Sequence, residues 1–276
     1  MRFDLYLPST ALRPYIRHLA ISESEAEQAY PVFPDTSLVL GFQYAGRLAY
    51  LTDSQEVPLS AFGVTGLQDS VRTFKNTVNT ATVLVYFTET GAAHFFRQPV
   101  HELFLESLSL DHFFPAATLE ELGEKLTQAS TDEQRISVVE HFLFEQLQLL
   151  PPDRLVEAAV HRIYQSKGRI RMLDLANSLN SSPSAFEKRF RRVVGASPKK
   201  FATIVRFQSL LEQYPLVKDA AELGYLAGYY DQAHFIKDFK RFTGCTPEQF
   251  FRSRSKNDFL QSWPDGKENL CALTIR

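Results

Sequence analysis

Up to about residue 90 the apolar positions come in short runs divided by turn formers. Ser37-Leu38-Val39-Leu40-Gly41-Phe42, Arg47-Leu48-Ala49-Tyr50-Leu51 and Ala81-Thr82-Val83-Leu84-Val85-Tyr86-Phe87 are rich in β-branched, leucine and aromatic residues, and Pro34-Asp35, Ala45-Gly46 and Thr52-Asp53-Ser54 punctuate them. Closely spaced short strands of this kind predict a sandwich or a small cupin-like barrel. From Leu119 the period lengthens. Leu119, Leu122 and Leu126, then Val138, Phe142 and Leu149 with Val139, Leu143 and Leu147 alongside, predict two amphipathic helices over about 118–150. Pro151-Pro152 follows, and proline ends helices and stiffens connections, so a boundary is placed there.

Beyond that boundary the chain repeats itself. A shift of 49 residues lays Phe186 on Phe235, Phe190 on Phe239, Arg191-Arg192 on Lys240-Arg241, Gly195 on Gly244, Ser197-Pro198 on Thr246-Pro247 and Phe201 on Phe250. In the first copy Leu173, Leu175-Ala176 and Leu179 mark a short helix, and Asn180 suits the left-handed turn after it. Ser182 is placed to cap the next helix and Pro183 to open it. Phe186, Phe190 and Val193 face inward there, leaving Ser184, Glu187, Lys188 and Arg191 outward. In the second copy Leu223, Gly224 and Leu226-Ala227 form the short helix, Gly228 turns the chain and Asp231 caps. Phe235, Phe239 and Phe242 form its inward stripe, while Ala233, Lys237 and Lys240 face outward, flanked by Gln232 and His234. Thr246-Pro247-Glu248-Gln249 has the form of a capping box, and Lys199–Tyr214 reads as a helix joining the copies. Two helices and a short turn, the second helix exposing polar and basic groups, is the helix-turn-helix arrangement.

Composition first works against a DNA partner, then for it. The 276 residues are enough for one large domain or two ordinary ones, with 44% hydrophobic and 22% charged residues and a formal net charge of −2. Divided at 150/151, the first part holds 9 Lys+Arg against 19 Asp+Glu, net −10, and the second 21 against 13, net +8. A basic half carrying two helix-turn-helix copies has the electrostatic footprint of a polyanion binder. Two cysteines, Cys245 and Cys271, exclude a disulfide framework and a thiolate-built zinc site. No apolar run reaches a membrane span and the start lacks a signal-peptide pattern, so a cytoplasmic protein is expected.

The competing reading is a cupin-type small-molecule enzyme with an appended DNA-binding module. It requires two histidines one residue apart on a strand, and His18, His94, His101, His112 and His141 supply no such pair. A DNA-repair methyl acceptor would need an activated cysteine, for which Cys245 in a turn and Cys271 in the polar tail are poor candidates. Serine nucleophile elbows and phosphate-gripping glycine loops are absent as well. No catalytic residue, metal or cofactor is therefore expected. Paired aromatics, among them Phe95-Phe96, Phe113-Phe114 and Tyr86-Phe87, fit a core or an apolar ligand pocket equally well.

The run Gly228-Tyr229-Tyr230-Asp231-Gln232-Ala233-His234-Phe235, continuing through Phe239-Lys240-Arg241-Phe242-Thr243-Gly244 to Thr246-Pro247, resembles the signature of AraC/XylS-type transcriptional regulators. Leu175-Ala176 through Phe186-Glu187-Lys188-Arg189-Phe190 to Gly195 and Ser197-Pro198 is similar to that family's first motif, and the likeness covers about residues 153–254. More loosely, Leu12-Arg13-Pro14-Tyr15-Ile16, Phe33-Pro34-Asp35 and the Gly91–Leu110 region resemble a sensor type found ahead of some of these domains. The resemblance implies an α+β protein: a β-rich sensor or dimerisation domain over 1–150, a double helix-turn-helix domain over 151–254 with a linker helix, and a tail over 255–276. It implies a non-enzymatic, sequence-specific regulator of promoters or operators, responsive to a small-molecule effector, with a homodimer and RNA polymerase as further partners. Its two motifs would enter adjacent major grooves about 34 Å apart. Carried over position by position, base-edge contacts fall on Ser184, Glu187 and Lys188, and on Gln232, Ala233, His234 and Lys237. Arg191, Arg192, Lys240 and Arg241 are phosphate candidates. Glu187 either accepts from a cytosine amino group or pairs with Arg191, and Ala233 offers only apolar contact, for instance to a thymine methyl. Gly224 stands where the family usually has alanine, a change that loosens a helix by roughly 1 kcal/mol.

Overall fold

The computed structural model describes residues 1–213, 222–224 and 231–254. Ten strands come first: β1 Arg2–Tyr6, β2 Ile16–Ser24, β3 Gln28–Val32, β4 Val39–Ala45, β5 Leu48–Leu51, β6 Glu56–Pro58, β7 Phe62–Thr65, β8 Arg72–Asn76, β9 Thr80–Phe87 and β10 Ser107–Ser109. They form two antiparallel sheets, one of order β1-β2-β9-β4-β7-β10 and one of order β3-β8-β5-β6. The three strands the sequence marks most clearly are β4, β5 and β9.

In the larger sheet the bulk lies on one face. Leu19, Ile21, Leu40, Phe42, Val83 and Val85 are fully buried and share a core with two helices, α1 (Ala116–Gln128) and α2 (Asp132–Gln146). The alternate positions of the same strands line a cavity: His18, Ser22, Gly41, Gln43 and Thr82 are small or polar, and Val39, Leu84 and Tyr86 stand among them. Tyr30, Tyr50 and Phe74 of the smaller sheet line the same cavity. The domain core therefore sits between the larger sheet and its helices, and the space between the sheets is hollow.

The two helices follow the sequence reading with a shifted end. Leu119, Leu122 and Leu126 are buried in α1, and Thr131 closes a capping box with Gln134 at the start of α2. The buried face of α2 is Ile136, Val139, Phe142 and Leu143, while Val138 is only half-buried. The helix stops at Gln146, so Leu149 lies outside it and is 83% exposed. The reason is a pairing distant in sequence: the Gln148 amide donates to the His94 carbonyl at 2.8 Å and His94 Nδ1 meets the Gln148 carbonyl at 3.1 Å, which draws the chain away from the helix.

Among the described residues the helices that follow are α3 Arg154–Gln165, α4 Met172–Ser178, α5 Pro183–Val194, α6 Pro198–Gln213, α7 Gln232–Thr243 and α8 Pro247–Arg254. Asp153 caps α3 by accepting from the Val156 amide. In α4 Leu175 and Ala176 are buried, whereas Leu173 is 59% exposed. In α5 the fully buried positions are Phe186, Phe190 and Val194, and Val193 is half-buried against the same core, since i+7 and i+8 both fall on the apolar side of the helix. Thr246 and Gln249 exchange both bonds of the capping box at the start of α8. Residues 222–224 are helical, and a Cβ on Gly224 would lie 3.1 Å from Phe235 Cδ1, so glycine lets this helix close on α7. Tyr214, Leu226-Ala227, Gly228 to Tyr230, Cys271 and the tail with Trp263-Pro264-Asp265-Gly266 lie outside the described residues.

The linking helix α6 faces two cores. Phe201, Ala202 and Val205 pack with Val156, Ile163, Phe186 and Phe190, while Ile204, Phe207 and Leu210 pack with Leu223, Phe235, Phe239 and Phe250. Each core also takes a side chain from the strand-rich part: Leu67, 2% exposed, enters the first, and Phe33 packs on Phe207 and Phe250 of the second.

Candidate nucleic-acid interface and the adjoining cavity

The second helix of each copy is built to stand out from its core. Asn180 takes φ 51°, turning the chain, and Ser182 Oγ accepts from the Ala185 amide at 3.4 Å with Pro183 in the first turn. Asp231 does the same work for α7, accepting from Ala233 at 2.9 Å. Both helices end on a left-handed glycine, Gly195 at φ 96° and Gly244 at φ 81°. With the phenylalanines turned in, Ser184, Glu187, Lys188, Arg191 and Arg192 on α5 are all exposed. So are Gln232, Ala233, His234, Lys237, Lys240 and Arg241 on α7. Each helix thus gathers its candidates on one solvent-facing side.

Some charges are already engaged. Among the described residues no ion pair joins Glu187 to Arg191, which leaves the carboxylate open to a donor such as a cytosine amino group. Arg189 turns back to Asp153 at 2.6 Å, tying α5 to the cap of α3. On α7, half-buried Asp238 holds His234 Nε2 and Arg241 Nη2, each at 3.4 Å. Sequence reasoning passed over Asp238, although its i+4 and i−3 spacing to His234 and Arg241 is the signal of helical neighbours. The Arg241 carbonyl accepts from the Val71 amide at 3.0 Å, so the strand-rich part reaches the last turn of α7.

The cavity between the sheets has a volume of about 1200 Å³ and is lined mainly by apolar side chains. That is room for a drug-sized molecule. His18, 8% exposed, stacks on Tyr86 at 4.3 Å on its wall. Burial, helped by the neighbouring Arg17 charge, pulls its pKa down to about 4, so the imidazole is neutral. Burial also pushes the Tyr30 hydroxyl up to about 12. Arg72, half-buried, donates to Ser107 Oγ and the Leu105 carbonyl and lies over the Tyr50 ring at 4.5 Å. The sequence signal for this space lies on β2 and β4, where His18, Ser22, Gly41 and Gln43 alternate with Leu19, Ile21, Leu40 and Phe42.

One end of the cavity is closed by α3 and α6. Tyr164 of α3 donates to Glu89 Oε1 at 2.5 Å and lies 2.8 Å from Thr36 Oγ1, and Gln208 of α6 donates to Asp35 Oδ1 at 2.8 Å. Arg17 bridges Glu89 (2.5 Å) and Asp35 (3.5 Å) beneath them. Burial and the Glu89 charge both raise the Tyr164 pKa, so its proton stays on the phenol. Among the described residues no three His, Cys, Asp or Glu side chains are grouped to hold a metal ion, and no helix is long and apolar enough to cross a membrane. Cys245 is half-buried, and burial raises its pKa.

The C-terminal part thus sets two capped helices with exposed polar faces, α5 and α7, on separate phenylalanine cores. Residues 175–253 match a family described as a helix-turn-helix domain. Residues 4–109 match a family described as a domain of unknown function. An HTH-type transcriptional regulator of Haemophilus influenzae is 31% identical over 109 residues, 38% of this chain and 36% of its own length. The Msm operon regulatory protein of Streptococcus mutans is 33% identical over 105 residues, 37% of this chain and 36% of its own. The chain therefore aligns with little more than a third of each of these relatives. Among solved structures, ToxT from Vibrio cholerae superposes with a TM-score of 0.47 at 9% identity, covering 91% of this chain and 98% of that one.

Proposed function

We propose that the protein is a sequence-specific DNA-binding transcription regulator whose reading of DNA responds to a small, largely apolar effector held between the two sheets. The observation that carries this is the pair of capped helices, α5 and α7, each presenting an exposed polar and basic side within a half of net charge +8. Ser184, Glu187 and Lys188, with Gln232, Ala233, His234 and Lys237, are the base-edge contacts. Arg191, Arg192, Lys240 and Arg241 meet phosphates, and Arg241 must share its charge with Asp238 to do so.

The division follows: residues 1–150 sense and dimerise, 151–254 bind promoter or operator DNA, and 255–276 form a tail. The dimer surface is assigned to α1 and α2, where Phe144 is exposed. RNA polymerase is the further partner, the protein acts in the cytoplasm, and it performs no catalysis. The relatives' names, an HTH-type transcriptional regulator and an operon regulatory protein, support this reading. It is tested by measuring the affinity of the full chain for a cognate duplex. Lys188→Ala or Lys237→Ala should weaken binding by about 1–3 kcal/mol and relax the sequence preference at one position. Unchanged affinity and preference in both variants would remove these helices from the readout.

A further inference from the structure

The cavity and the DNA-reading helices share a wall. Arg17, Asp35, Thr36, Glu89, Tyr164 and Gln208 all line the cavity, and the first four come from the strand-rich part, the last two from α3 and α6. They form a closed polar cluster at the end of a mainly apolar space. Tyr164 is held by Glu89 and Thr36, and Gln208 by Asp35. Asp35 and Thr36 directly follow Phe33-Pro34, whose Phe33 ring packs on Phe207 of α6 and Phe250 of α8. A second set of contacts grips the other end of α6, where Lys200 pairs with Asp69 at 2.7 Å and lies over the Phe104 ring at 4.4 Å. Because α6 packs into both motif cores, any displacement of it changes how α5 and α7 are set relative to each other.

We propose that the Arg17–Asp35–Thr36–Glu89 cluster and its partners Tyr164 and Gln208 form the clasp through which occupancy of the cavity is communicated to the two recognition helices. This rests on the cavity being an effector site. A molecule filling the cavity presses on or replaces contacts of Thr36 and Glu89, and the Tyr164 and Gln208 bonds carry the change into α3 and α6. The clasp has two states, closed on Tyr164 or open, and an occupant shifts the balance only by fitting one better than the other. Tyr164 and Gln208 are positioning residues: they touch no DNA.

The cavity can be filled without knowing its ligand. Leu84 on β9 lines it from the larger sheet and Leu48 on β5 from the smaller, so Leu84→Trp or Leu48→Trp places an indole inside. The experiment measures the affinity of the full chain for a duplex selected by the wild-type protein, using wild type, L84W, Y164F and the double variant. Thermal melts check that each is folded. Filling the cavity should change DNA affinity by about fivefold or more, the lower end of ordinary allosteric coupling. In the Y164F background the same substitution should change it by less than twofold. Equal shifts in both backgrounds would overturn the clasp while leaving the cavity as a regulatory site. No shift with either L84W or L48W would overturn the cavity's role and the clasp with it. If Y164F does not fold, Gln208→Leu serves as the uncoupling variant with the same outcomes.

Discussion

His18 illustrates how far a side chain's chemistry depends on what surrounds it. Free imidazole titrates near 6.5, but here burial on the cavity wall holds it neutral down to about pH 4. The unfolded chain therefore binds a proton between these two values that the folded chain refuses, so stability falls as pH drops through the window, by up to about 1.4 kcal/mol per pH unit. His18→Phe keeps a ring on Tyr86 and removes the titration. Melting measured from pH 6.5 to 4 should lose less stability in this variant than in wild type, and identical losses would contradict the assignment. None of this was legible in the sequence, where His18 is one of several scattered histidines. The exposed faces of α5 and α7 were legible, because a stripe of phenylalanines at i and i+4 dictates what must point away from it. The hold of Asp238 on His234 and Arg241 was missed for a different reason: attention to groove contacts passes over their intrahelical partners.

At the scale of elements, what the sequence states best is where helices begin and end. Ser182, Asp231, Gly195 and Gly244 are punctuation with a single mechanical reading, and each stands where that reading puts it. At Gly195 the backbone is left-handed, and a Cβ would also lie 3.1 Å from Val100 Cγ1. Gly195→Ala should therefore cost at least about 1–2 kcal/mol, seen as a lower denaturant midpoint with an unchanged slope. Asp231→Ala should cost about 0.5–2 kcal/mol by the loss of its bond to the Ala233 amide. Strands were harder. Short or polar strands such as β1, β3, β6 and β8 gave no apolar run to find. The end of α2 at Gln146 depends on a pairing with His94, more than fifty positions away in the chain. A local pattern cannot carry such a contact.

For the whole molecule, the near-zero net charge conceals an acidic part and a basic part that are packed together. Leu67 and Phe33 complete the two motif cores from the other side of Pro151-Pro152, so that proline pair does not separate two independent bodies. This interlock was invisible in the sequence because Phe33 and Leu67 sit among strand and turn residues with no mark of a distant partner. Binding of DNA by the full chain should weaken steeply with added salt, and removing one phosphate-facing side chain, as in Lys240→Ala, should lower the log–log slope by about one. The most direct test of two recognition helices acting together is selection of bound sequences from random DNA by the full-length protein. The expected result is two conserved blocks about one helical turn, 10–10.5 base pairs, apart, with Lys188→Ala relaxing one block and Lys237→Ala the other. A single block affected alike by both substitutions, or no enrichment at all, would contradict it.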